Sequence, residues 1–137
     1  MIKLAIDLGS SVTKIFKIGS GIVLAEASCV AVTTGTDTVK AIGEEAKRLI
    51  GKTAEFTTIV FPVFEADIVN GNVAAVMLSY FLKKIGIGRA QARRTEAVFG
   101  VPCGAQDALL DKYYRLAEAC GIGSVSFVEV PFLAAFG

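Results

Sequence analysis

The stretch Ile6–Lys14, IDLGSSVTK, decides how the rest of the chain is read. Leu4, Ala5 and Ile6 form a short apolar run of the kind that makes a buried strand, and the run leaves Asp7 at the strand's end, where the chain must turn. Gly9 supplies that turn, and its missing Cβ lets a ligand come close to the backbone. Ser10 and Ser11 add two hydroxyls and, with Val12, a run of N–H groups that can point at an anion. From Val12 to Ile18 the residues alternate. Val12, Lys14, Phe16 and Ile18 fall on one face, and Thr13, Ile15 and Lys17 on the other, which predicts a strand returning beside the first. Lys14 then comes back toward Asp7, where a carboxylate can hold a magnesium ion directly or through water. Two readings stand at this point: a plain hairpin with a Gly-Ser-Ser turn, or a hairpin that holds phosphate. It is not a Walker loop, because no G-x-x-x-x-G-K-[ST] occurs.

Outward from the hairpin, Gly21–Thr33 is an apolar, β-branched run with a bend or bulge predicted over Ala25–Ser28, and a short strand follows at Thr38–Ile42. Glu44–Ile50 has helical spacing and is closed by Gly51, with Ala46, Leu49 and Ile50 on its apolar side. Phe56–Phe61 reads as a strand that ends at Pro62. Residues 63–71 read as a polar turn, with Asn70 capping a long amphipathic helix that continues through Val73, Val76, Met77, Tyr80 and Phe81 to Ile85. The glycine-punctuated stretch of residues 83–94, with Lys83, Lys84, Arg89, Arg93 and Arg94, reads as a basic loop. Thr95–Val101 is a buried strand. A second helix follows Gly104, with Leu109, Tyr113, Leu116, Ala117 and Cys120 inward, and Ser124–Val130 is the last strand. Pro131 opens a final turn of helix over Phe132–Phe136. Three β elements that can pair as a meander, followed by a small inserted region and then helix–strand–helix–strand, predict an α/β domain with one mixed sheet.

Composition narrows the chemistry. The 137 residues include no histidine, which removes Ser-His and Cys-His nucleophiles and histidine-zinc sites. Cys29, Cys103 and Cys120 are odd in number and contain no C-x-x-C, so they read as small core residues in a reducing compartment. Fourteen basic residues against thirteen acidic ones give a net charge of +1, too small a field to attract nucleic acid. A hydrophobic content of 53% and a mean hydropathy of +0.60 predict a sheet covered on both faces, apolar surface meant for a partner, or both. No secretory leader and no run of about 18 apolar residues is visible, which predicts a cytoplasmic protein.

Four segments in order together resemble the actin-like ATPase superfamily, and within it the MreB family of bacterial cell-shape filament proteins. IDLGSSVTK is similar to the first phosphate loop, and GIVLAEASCVAV with EEAKRLIGKT to the small outer subdomain. VFPVFEADIVNGNVAAVMLSYF is similar to the link and first long helix, and the stretch from FGVPCGAQDALL to VEVPFLAAFG to the strand, helix and connecting strand that lead to the interdomain helix. The resemblance implies an RNase H-like domain over residues 1–137. Its core would be residues 1–32 and 63–137, its small inserted subdomain about residues 33–62, and the second domain, second phosphate loop and adenosine motif would lie beyond Gly137. It implies ATP and Mg2+ in a cleft, with Asp7 holding the metal through water, Gly9, Ser10, Ser11 and Val12 around the phosphates, and Lys14 touching them. One departure bears on hydrolysis. The family's water-positioning carboxylate falls near the proline of VEVPF, where this chain has Val130 preceded by Glu129, and alternation sends Glu129 to the opposite face. The resemblance implies ATPase activity only as part of a two-domain protein, slow because of Val130, with Asp7 and Glu129 as the candidate catalytic carboxylates, and weak or no ATP binding and no activity for residues 1–137 alone.

The partners implied are further copies in a filament, and an anionic membrane surface or membrane-associated cell-wall machinery at the inner face of the cell membrane. The family's membrane-inserting apolar pair is absent here, replaced by Arg89–Arg94. The alternatives are a domain of another superfamily ATPase, such as a chaperone, activase or sugar-kinase-like enzyme, or a binding module that has lost its nucleotide chemistry.

Overall fold

The computed structural model describes residues 1–36, 38–52 and 56–131. Its centre is a five-stranded sheet built from β1 (Ile2–Leu8), β2 (Val12–Lys17), β3 (Gly21–Ala27), β9 (Thr95–Val101) and β10 (Ser124–Glu129), in the order β10-β9-β1-β2-β3. The meander β1-β2-β3 is antiparallel, whereas β9 runs parallel to both β1 and β10, which makes the sheet mixed as predicted.

Two helices cover one face. α2 (Gly71–Lys84) begins at Asn70, whose Oδ1 accepts the Val73 N–H at 3.1 Å, and α4 (Asp107–Ala119) begins after Gln106. Met77, Leu78 and Phe81 of α2 and Tyr113, Leu116 and Ala117 of α4 pack on Leu4, Ile6, Leu8, Ile15, Ala97, Phe99 and Val101. Strand alternation then carries Ala5, Asp7, Lys14 and Val98 to the other face. That face also presents Phe16, Ile22 and Val128, which are 46%, 57% and 50% exposed. The high apolar content is thus divided between a dry helix-facing layer and an open apolar sheet face.

Gly21–Thr33 divides into two strands in different sheets. After β3 the chain breaks at Ser28–Cys29, and β4 (Val30–Thr33) pairs with β5 (Val39–Ile42) and β6 (Thr57–Val60) in a separate three-stranded sheet. Buried hydroxyls mark the break, where Thr13 Oγ1 and Ser28 Oγ lie 2.8 Å apart. The two sheets are latched together by reciprocal bonds. The Glu44 N–H donates to Glu26 Oε1 and the Ala27 N–H to Glu44 Oε1, while Lys84 pairs with the other Glu26 oxygen. Gly43 is required here. Its φ is +69°, and a Cβ would sit 2.3 Å from Glu26 Oε1.

Three local predictions change. The helix predicted over Glu44–Ile50 is α-helical only at α1 (Glu44–Lys47). Leu49 and Ile50 instead donate three residues back, and this tighter winding turns Ile50 out to 49% exposure. The basic loop contains a four-residue helix, α3 (Arg89–Ala92), started by the Gly88 N–H on Gln91 Oε1 and anchored by buried Ala92. The polar turn of residues 63–71 holds a small hairpin, β7 (Val63–Phe64) with β8 (Asp67–Ile68). The helix predicted over Phe132–Phe136 lies outside the described residues.

Phe81 is fully buried between α2, the main sheet and Gly43. Phe81→Ala is expected to destabilise the chain by about 3–5 kcal/mol, read from chemical denaturation, because the cavity between two sheets and a helix has little room to collapse.

Candidate functional site

The first turn is held by one bond, from the Gly9 N–H to Val12 O at 3.0 Å. A Cβ on Gly9 would lie 2.4 Å from that same oxygen, so only glycine closes the turn. Beyond it, the Ser11 carbonyl accepts the Ser28 N–H, and Ser10 Oγ accepts the Glu65 N–H at 2.8 Å. Among the described residues, the N–H groups of Ser10 and Ser11 have no acceptor. Both sit at a half-buried or exposed turn with their donors free for an outside oxygen.

Asp7 and Lys14 are direct cross-strand partners on the open face. They make no ion pair, which leaves space between carboxylate and ammonium. Burial raises the Asp7 pKa above its ordinary value, and the Lys14 charge opposes that shift. The two residues line a groove of about 220 Å³ whose remaining wall is apolar: Phe16 on β2, Val98 and Gly100 on β9, Val128 and Val130 on and after β10. The groove approaches Gly100 closely, since a Cβ there would meet Val130 Cγ2 at 3.2 Å.

The structure therefore brings Asp7, Gly9, Ser10, Ser11, Val12 and Lys14 to one corner. It does not bring Glu129 there. Glu129 pairs with Val101 in register, on the helix-facing side of β10, and it is Val130 that lines the groove. Among the described residues no cluster of three or more acidic or cysteine side chains could hold a metal by itself. A lone carboxylate beside free N–H groups fits a magnesium ion that takes its other ligands from phosphate and water, not a cage made wholly of protein.

Sequence reasoning missed three residues that buttress this corner. Glu65 and Ala66 form the two-residue turn between β7 and β8, with φ of 46° and 67°. Such a turn normally signals itself by Asn-Gly or Asp-Gly, and Glu-Ala gives no such sign. Tyr113 was legible only as a core residue. Its hydroxyl donates to Ala66 O at 2.7 Å, and burial, with the negative charges of Asp7 and Asp67, pushes its pKa up to about 12.

The fold defines the class: an α/β domain with the actin-like fold. The family profile described as MreB/Mbl protein matches residues 1–137. The chain belongs to the MreB/Mbl family. It is 33% identical over 138 residues to the cell shape-determining protein MreB of Haemophilus influenzae, covering 98% of this chain and 39% of that protein. It is 30% identical over 134 residues to the cell shape-determining protein Mbl of Bacillus subtilis, covering 98% and 40%. Among solved structures, MreB5 of Spiroplasma citri bound to AMPPNP superposes with a TM-score of 0.83 at 21% identity, covering 93% of this chain and 38% of that one. The MamK double helical filament superposes at 0.77 and 21% identity, covering 96% and 41%. The chain thus spans about two fifths of the length of the relatives it matches. Among the described residues no helix is long and apolar enough to cross a membrane.

Because burial lifts the Asp7 pKa above the unfolded value, the stability Asp7 contributes is full below that value and is lost as pH rises through the lifted one. Asp7→Asn, uncharged throughout, is expected to melt above the wild type at pH 7. That advantage should shrink on acidification toward pH 3.8, the ordinary carboxyl value. Thermal unfolding across that range checks the sign, and an advantage that grows in acid contradicts it.

Proposed function

We propose that this chain is the nucleotide-binding half of a bacterial actin-like cell-shape protein, with ATP and magnesium held at the Asp7–Lys14 corner and assembly into filaments as its output. The observation that carries the reading is the pairing of Asp7 with Lys14 across the mouth of a turn whose Ser10 and Ser11 N–H groups lack acceptors. Asp7 would orient the metal's water, Lys14 would meet phosphate charge, and the turn's N–H groups would cradle the phosphate oxygens. Bound magnesium would neutralise phosphate charge during transfer to water.

The second sheet, β4 to β6 with α1, serves as the small outer subdomain. Relatives crystallised with ADP or AMPPNP, and a relative seen as a filament, support nucleotide binding and self-association for this chain too. The exposed Lys83, Arg89, Arg93 and Arg94 near α3, which pair with no carboxylate among the described residues, support contact with an anionic membrane face on the cytoplasmic side.

Val130 favours a second element of the reading, that nucleotide is bound and not rapidly hydrolysed. Among the described residues, no carboxylate other than Asp7 lines the groove to position an attacking water.

The test is a titration of the 137-residue chain with Mg-AMPPNP, followed through the amide resonances of Gly9–Val12. One wall of a cleft should bind in the millimolar range. Lys14→Ala should weaken that binding by about tenfold, the value of one charge-assisted hydrogen bond. Micromolar binding, or shifts scattered away from the turn, would refute the assignment.

A further inference from the structure

The β7–β8 turn is an unfavourable structure held in place from outside. Glu65 and Ala66 both occupy the left-handed region, at φ 46° and 67°, and neither is glycine or asparagine. A two-residue turn of this kind needs positive φ at both positions, and only two residue pairs of ladder hold it on its own strands.

The surrounding fold supplies the rest. Tyr113 lies 1% exposed under the turn and donates its hydroxyl to Ala66 O at 2.7 Å, and Lys112, one residue earlier on α4, reaches Asp67 Oδ1 at 2.7 Å. The Tyr113 ring is wedged against Phe99 of β9, with centroids 5.3 Å apart, and edge-on to Phe127 of β10 at 6.2 Å. Its hydroxyl therefore has one position. With its pKa near 12, that hydroxyl keeps its proton and remains a donor at every physiological pH.

The far side of the same turn carries the consequence. With Ala66 held, the Glu65 N–H points at Ser10 Oγ, 2.8 Å away. A hydroxyl that accepts an N–H in this way has one of its two lone pairs occupied and its own proton directed away from that N–H. No acceptor among the described residues takes that proton.

We propose that Tyr113 is a positioning residue for the phosphate turn: through Ala66 and Glu65 it orients the Ser10 hydroxyl so that its proton is presented to a phosphate oxygen. This rests on the phosphate reading of the first turn and names the residue that sets its geometry. Tyr113 does not itself touch the nucleotide; it acts across the Glu65–Ala66 turn.

The experiment is a double-mutant cycle in the 137-residue chain, with Mg-AMPPNP as probe and amide resonances as readout. Tyr113→Phe keeps the ring and removes the hydroxyl. It should weaken binding about fivefold and lower the hydrogen-exchange protection of the Glu65 amide, while the Phe99 and Val101 amides keep theirs. Ser10→Ala should weaken binding by a similar factor, and the double variant should lose no more than either single one. Ala66→Gly, which accepts positive φ without help, should restore binding in the Tyr113→Phe background.

In the wild-type chain, where folding of a variant is not at issue, the Ala66 carbonyl carbon should shift on titration with the same apparent Kd as the Ser10 amide. Additive losses, a stationary Ala66 carbonyl, or unchanged binding in Tyr113→Phe beside weakened binding in Ser10→Ala overturn the positioning role and leave the phosphate reading intact. Absence of binding by the wild type at millimolar nucleotide, or binding indifferent to both Ser10→Ala and Lys14→Ala, overturns the phosphate reading and the positioning role with it.

Discussion

Everything in this structure depends on the one-sided packing of the five-stranded sheet. α2 and α4 press Met77, Leu78, Phe81, Tyr113 and Leu116 onto Leu4, Ile6, Phe99 and Val101. Because strand side chains alternate, that contact decides the orientation of every other residue in the sheet. Leu4, Ile6 and Leu8 point into the helices, so Ala5 and Asp7 must point out. The same rule places Lys14 beside Asp7 and Val130 beside Gly100. A one-residue slip in β1 or β2 would turn Asp7 or Lys14 away from the groove and toward the core.

The packing also explains why a small, nearly neutral chain can carry a charged corner. Asp7 is partly desolvated, which works against its ionised form, and the Lys14 charge across the strand pair works for it. At this corner Asp7 and Lys14 face each other across the strand pair without forming an ion pair. Behind it, the fold keeps a strained two-residue turn in place with a buried tyrosine, a surface lysine and a serine hydroxyl. Strain of that kind persists only where its surroundings outvote it.

The family profile covers the whole chain, and the likeness to solved structures near 21% identity speaks to the fold alone. The glycine and hydroxyls of the first turn, the aspartate before it and the valine at the end of β10 are the residues on which the proposed nucleotide site rests. The open apolar face and the small second sheet flank this corner. The Glu26, Glu44 and Lys84 latch ties the two sheets together.

Much of this was legible in the residues. The alternation in Val12–Ile18 announced β2 and placed Lys14 across from Asp7. Asn70 announced the start of α2, and the parity of Glu129 and Val130 told which of them would face the groove. These are local properties, set by a period of two or by a single cap. Where the sequence misled, the deciding contacts were distant ones. Whether Gly21–Thr33 stays in one sheet depends on Ser28 meeting Thr13 and on Glu26 meeting Glu44. Whether Ile50 faces inward depends on the winding of a short helix against its sheet. Nothing near Glu65–Ala66 announces a hairpin, because what stabilises that turn is a tyrosine 47 residues further on. The sequence by itself determined the strands, the long helices and the chemistry of the first turn, since those follow from neighbours in the chain. Only the tertiary structure decided which face of the sheet is open and what braces the first turn, since both are settled by packing between segments far apart in sequence.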